Sequence, residues 1–524
     1  MTCRSFIWLL LTLIVFGFLL YKPANSACFC NHGYGLDEIE YHLLSANIAL
    51  HNSFPVYGFL SDKTSYCLCE ENQSLATYYT ILSDAGPVLF SGRPPIYPLV
   101  LGGAYKLMGF TPQTQYQLHF AAIWLTALLL GIALLCTRGT ILAVIISITY
   151  LWVTIPIAHI NNAEPFTRLP YFAAILILIW AEYSKNNPLF FTAGIAMSLA
   201  LITKGTLLIF TVLILLFMLF KALRYKNYTI LKHIVLYCCG LALVIVPWST
   251  FINYHLSQSK QERQNWVQKM NKAIPDISVA GFEDLLDKNS GWYKKETIYY
   301  GIKIHQTRYV ADSAFIIITN QLNRNIILSD HNEFCADGDY HPEFEAISTS
   351  FHNRYSKTDE WVWKSIARFY ANNPVFAMKI LYTKICALSR TSTNLYFLSI
   401  VLITLALCFR HHIISALTAK LITVAYVVIY ISALLYGLLY LVVWIPIICL
   451  LISLGIIALF YAEKGLLSIF TLLALSFTLL ALMIYGDPRF IDALDAVWVL
   501  AATLSLTYIF NINLKQRRRL LQSS

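Results

Sequence analysis

Residues 205–252 read GTLLIFTVLILLFMLFKALRYKNYTILKHIVLYCCGLALVIVPWSTFI, and this stretch decides the class of the fold. Its two apolar runs, 205–221 and 231–252, are each long enough at helical rise to cross about 30 Å of hydrocarbon. At and between their facing ends stand Lys221, Arg224, Lys226 and Lys232, a short basic connection of the kind that stays cytoplasmic. The stretch predicts two antiparallel membrane helices joined on the inside. The pattern recurs outward from it, at 6–21, 118–136, 140–158, 168–183 and 188–203, then at 395–409, 413–433, 437–460, 466–485 and 492–511. The expected class is an all-α polytopic membrane protein with about twelve spans. The divisions 188–203/205–221 and 413–433/437–460 are the least marked, since no long polar turn separates their halves.

Composition agrees. Of 524 residues, 58% are hydrophobic and 13% charged, against roughly 25% charged in soluble domains, which excludes a water-soluble enzyme. The net charge of +10 is positional. With the N-terminus inside, the short cytoplasmic loops and ends carry Arg4, Arg138, Lys185, the Lys221–Lys232 group, Arg410, Lys464, Lys515 and Arg517–Arg519. The opposite short loops carry only Lys204 and Arg489, with Arg168 at a boundary. Both termini are then cytoplasmic, and the terminal basic run is an anchor for anionic membrane lipid, with no nucleic-acid partner expected.

Two long segments, 22–117 and 253–394, fall outside and hold most of the acidic residues and histidines. The expected organisation is a membrane module over 1–252, an extracytoplasmic domain of mixed structure over 253–394, and C-terminal helices with a basic tail over 395–524. Ala24-Asn-Ser-Ala27 also fits a signal-peptide cleavage site, the alternative to a retained first helix. Cys28, Cys30, Cys67 and Cys69 form two Cys-x-Cys pairs, suited either to two disulfides of unassigned connectivity or to a four-thiolate zinc site.

In the first segment Asp37 and Glu38 follow the first span closely, and a carboxylate at the membrane surface can take a proton from an acceptor hydroxyl. The plain alternative is a solvated or helix-capping pair. Further on, Pro94, Pro95 and Pro98 stiffen the backbone after Arg93 and open an interfacial helix that carries Lys106. Asp84 and Glu164 are further carboxylates near the same surface, each able to position an acceptor, hold a divalent cation or cap a helix. Lys204, between two apolar runs, either snorkels to the interface or faces a cavity or partner. His159, His331 and His341 lack metal-ligand spacing, so no metal is assigned and a divalent cation is the sole cofactor left open.

Several elements in order resemble the polyprenyl-phosphate-sugar-dependent glycosyltransferases of the GT-C fold, of the protein O-mannosyltransferase/aminoarabinose transferase type. They are Asp37-Glu38 after the first span, Arg93-Pro-Pro-x-x-Pro98 before the second, and Asn161-Asn-Ala-Glu164-Pro-Phe166. They continue with Thr203-Lys204-Gly-Thr206, Val246-Pro-Trp248, Ile318-Thr-Asn320, Asn372-Asn-Pro374 and Pro488-Arg489-Phe490. Gln321–Asn325 stands where the family often has a Gly-rich turn.

The resemblance implies transfer of a sugar from a polyprenyl-phosphate donor to an acceptor at the periplasmic face of a cell inner membrane. Lipid A, a protein or an envelope glycan would be the acceptor. Asp37 would be its base or orienting group, with Glu38 beside it, and Arg93, Lys106, Lys204 and Arg489 would meet the leaving phosphate. No P-loop or dinucleotide fingerprint is found, in keeping with a lipid-borne donor. The rival reading is a transporter or flippase of a lipid-linked sugar or other solute. Carriers usually show internal repeats and polar residues at midplane, and neither is apparent here.

Overall fold

A computed structural model describes residues 3–21, 41, 44–46, 48–50, 94–159, 163–258, 297–299, 302–304, 395–435, 444–459, 466–483 and 493–522. Each predicted span corresponds to a helix. In chain order they are α1 (Cys3–Leu20), α2 (Ile96–Met108), α3 (Pro112–Thr137), α4 (Thr140–Thr154), α5 (Glu164–Ser184), α6 (Asn187–Leu201) and α7 (Leu208–Tyr225). They continue with α8 (Tyr228–Gln258), α9 (Leu395–Arg410), α10 (Ala416–Leu435), α11 (Trp444–Leu459), α12 (Leu466–Met483) and α13 (Asp495–Gln522). Short 3-10 turns follow α4 (Ile155–His159) and precede α7 (Gly205–Leu207). Beyond the helices, the described residues hold one antiparallel hairpin, β1 (Thr297–Tyr299) with β2 (Ile302–Ile304), in which Thr297 pairs with Ile304.

Six helical stretches among the described residues are long and apolar enough to cross a membrane, and five shorter ones are also apolar. Their outer faces carry Trp152, Trp180, Leu243, Val246, Leu421 and Leu451, all exposed. Apolar surface on that scale is untenable in water and fits acyl chains. The helix expected after Arg93 is present as α2, while Arg93 itself lies outside the described residues. The division between 188–203 and 205–221 is real: α6 ends at Leu201 and the chain passes through an extended Lys204 before the next turn.

Close approach of small residues sets the packing. Gly17 of α1 lies against Trp124 of α3, whose indole donates to the Leu13 carbonyl at 2.9 Å. A Cβ on Gly131 of α3 would meet Ser147 of α4 and Leu9 of α1 at 2.6 and 2.8 Å, so three helices converge there. α6 and α8 cross at Gly194 and Gly240, whose Cα atoms each lie 3.0 Å from where a Cβ on the other would stand. Between helices in lipid, where the hydrophobic effect supplies little, such contact carries the association.

Because the helices alternate in direction, one end of the bundle gathers the ends of α1 and α8 and the starts of α3, α5, α7, α9 and α13. Segments 22–117 and 253–394 leave from this end. Alkaline-phosphatase fusions near residues 70 and 300 are expected to be active and a fusion near 226 silent, as the distribution of Lys and Arg requires. An active 226 fusion would invert the orientation.

Candidate functional site

The site is built on one face of the first two turns of α5. Glu164, Thr167, Arg168 and Tyr171 fall at the i, i+3, i+4 and i+7 spacing of a single helical stripe, and all four are buried. In an otherwise apolar membrane helix this stripe inverts the usual rule, and its polar groups need partners within the protein.

Each has one. Lys204, held in extended backbone between α6 and the Gly205–Leu207 turn, donates from Nζ to Glu164 Oε1, with the two side chains only 14% and 10% exposed. Tyr171 donates its hydroxyl to the Lys204 carbonyl, and since that carbonyl can only accept, Thr206 supplies the proton in its contact with Tyr171. Glu164 also stands in the first turn of α5, where the helix dipole favours a negative charge. The N-cap of α5 is Ala163 with no side-chain cap bond, so the Glu164 carboxylate does not cap the helix by hydrogen bonding but reaches across to Lys204. The snorkelling reading of Lys204 gives way to the partnered one.

A second pair lies alongside. Arg168 Nε donates to Asp495 Oδ2 at 2.9 Å, Arg168 Nη1 donates to the Glu164 carbonyl at 3.0 Å, and Tyr150 donates to Asp495 Oδ1 at 2.8 Å. The side chains of Arg168 and Asp495 are 1% and 7% exposed. This network joins α4, α5 and the first turn of α13. Sequence reading missed it. Arg168 passed as a boundary residue, and Asp495, at the start of the last span, drew no attention. The available signal was the polar stripe on α5 and an acid inside an apolar run.

A third layer covers α5 from the α2 side. Tyr97 meets Phe166 at 5.5 Å between ring centroids and Tyr41 at 5.2 Å. His119 donates from Nδ1 to the Ala158 carbonyl at 3.1 Å, and its Nε2 shares a hydrogen bond with the Tyr97 hydroxyl at 2.8 Å. The Ile96 amide donates to the Ile202 carbonyl at 3.2 Å, tying α2 to the Lys204 turn. Gly102 of α2 lies against Ile48 and the Ser45 carbonyl, so residues 45 and 48 rest directly on α2.

Of the residues singled out from sequence, the structure brings Lys204 and Glu164 together. Lys106 stands exposed in the last turn of α2, off the buried face formed by Tyr97, Leu101 and Tyr105. Asp37, Glu38, Asp84, Arg93 and Arg489 lie outside the described residues, as do Cys28, Cys30, Cys67 and Cys69. Among the described residues, no three His, Cys, Asp or Glu side chains converge to hold a metal ion.

No protein-family model matches the chain, and no sequence of a characterised protein matches it. Among solved structures, ArnT from Cupriavidus metallidurans bound to undecaprenyl phosphate is similar over 94% of this chain and 77% of its own, at 11% identity and a TM-score of 0.33.

Proposed function

We propose that the chain is a membrane glycosyltransferase of the GT-C type that moves a sugar from a polyprenyl-phosphate donor to an acceptor hydroxyl or phosphate. The observation that carries this reading is the half-buried Glu164–Lys204 pair at the end of the bundle from which both long segments leave. A donor whose lipid lies in the bilayer presents its phosphate at the membrane surface, so a cation must wait near that depth. An ammonium there is costly unless it has an anion beside it, and Glu164 fills that place until a phosphate arrives.

When the glycosyl bond breaks, negative charge grows on the departing lipid phosphate. Lys204 stabilises it as a point charge, and Arg93 and Arg489, which the resemblance puts at the same task, offer planar bidentate contact. Lys106 and Asp84 complete the proposed binding set. Asp37 takes the acceptor's proton, with Glu38 as its neighbour. The site faces the periplasm of a cell inner membrane, and the acceptor is lipid A, a protein or an envelope glycan. A carrier would hold its ionisable groups at mid-membrane on broken helices, whereas these pairs occupy helix starts at one end.

Purified protein in detergent, given a polyprenyl-phosphate sugar and candidate acceptors, tests the reading. Wild type should form a glycosyl bond. Lys204→Met/Glu164→Gln, which removes both charges and leaves neither partner stranded, should lower donor use about tenfold to a hundredfold, the loss of one charge-assisted contact. Movement of substrate across vesicles with no bond formed would favour the carrier instead.

A further inference from the structure

Arg168 and Asp495 are an expensive way to hold two helices together. Desolvating a pair of charges can outweigh their attraction, and apolar residues of similar volume often do as well or better. Joining α5 to α13 therefore does not account for them. What an apolar pair cannot do is donate in two directions at once. The Arg168 guanidinium places Nε on Asp495 and Nη1 on the Glu164 carbonyl, which Thr167 Oγ1 also reaches at 2.9 Å. Tyr150 fixes the other Asp495 oxygen, so the carboxylate cannot turn away from the guanidinium.

The beneficiary is Glu164. Its backbone is held from the α13 side by Arg168, while its carboxylate meets Lys204 on the α6 side. Lys204 is in turn held by Tyr171 one stripe position further along α5. Asp495 stands six residues after Arg489 in the sequence.

We propose that Arg168, Asp495 and Tyr150 are positioning residues, a brace from α4 and α13 that fixes the first turn of α5 so that Glu164 meets Lys204. The inference rests on reading the Lys204 turn as the donor phosphate's site.

The test follows Lys204 itself. Purified full-length protein in detergent is treated with an amine-acylating reagent, and modification of Lys204 is followed by peptide mass spectrometry beside the melting temperature. Glu164→Gln supplies the reference for a released Lys204. Arg168→Met alone strands Asp495 and should melt early. Arg168→Met/Asp495→Leu should recover most of that loss yet leave Lys204 acylated several-fold faster than in wild type, approaching Glu164→Gln. Arg168→Lys, which keeps the charge but cannot serve both acceptors, should fall between. Wild-type acylation in a double variant of restored melting temperature would overturn the proposal, since the pair would then be structural only. So would a double variant that melts as early as Arg168→Met, since the charges would then be what joins the helices.

Retention of a polyprenyl phosphate by the same samples separates the two readings. Binding should drop about tenfold or more in the double variant. A wild type that retains none would overturn the donor assignment, while the acylation pattern still decides the brace.

Discussion

Gly240→Leu is expected to leave no folded protein, the largest effect on stability that the structure implies. A Cβ at this position would lie 2.2 Å from the Phe191 carbonyl oxygen, 2.9 Å from the Ile195 amide nitrogen and 3.0 Å from the Gly194 Cα. All three belong to the backbone of α6, so no rotamer change relieves the clash. Gly194 is in the same position toward the Tyr237 carbonyl, also 2.2 Å from its added Cβ. Inserting atoms into a packed interior costs about 1–3 kcal/mol when side chains can adjust, and more where two helix backbones must separate. Against a total margin of about 5–15 kcal/mol, in which packing supplies most of the helix association, this is decisive. Fluorescence-detected size-exclusion chromatography of the detergent extract should show aggregate or nothing for Gly240→Leu. Gly103→Ala, at a site with nothing within 4 Å, should be normal. A monodisperse Gly240→Leu protein with the wild-type melting temperature would refute the crossing.

On activity the largest effect is expected at Asp37. An acceptor hydroxyl is a poor nucleophile at neutral pH, and a placed carboxylate that takes its proton as the bond forms contributes about 10²–10⁴-fold. Asn keeps the size and a hydrogen-bonding oxygen but cannot take the proton. Asp37→Asn should therefore fold and bind donor normally while transfer drops by about that factor. Glu38→Gln is the internal control and should lose less. Equal loss at both would mean a shared network or ion, and undiminished transfer by Asp37→Asn would remove it from the chemistry. Four residues after Asp37, Tyr41 is buried against Tyr97, which in turn packs on Phe166 of α5.

The helices were legible because a bilayer demands about 20 apolar residues per crossing, and that demand writes itself into contiguous sequence. Lys204 and Glu164 were legible one at a time, as charges where charges are costly. Their pairing was not, because 40 residues and a full helical hairpin separate them and neither position constrains the other locally. Arg168 and Asp495 were harder still. Each sits near the end of a span, where a basic residue reads as a topological marker and an acid as a dipole partner, and both readings are locally sufficient. Only the fold reveals that the two ends coincide. The stripe Glu164, Thr167, Arg168 and Tyr171 was the one pattern that pointed inward, and it needs a search for polar rather than apolar periodicity.

The long reach between Arg168 and Asp495 bears on how the molecule is made. Their contact spans 327 residues, so the cation is synthesised long before its counter-ion. At about 5–20 residues per second, the nascent chain carries an uncompensated guanidinium for roughly 15–65 s. Until α13 leaves the ribosome, α5 cannot rest in lipid with Arg168 at its final depth without a large penalty. The insertion machinery must shelter it, or the helix must ride high toward the aqueous surface and sink only when its counter-ion arrives. Synthesis of α13 is thereby coupled to burial of the charge, and a chain truncated before Asp495 displays an arginine without the carboxylate that pairs with it here.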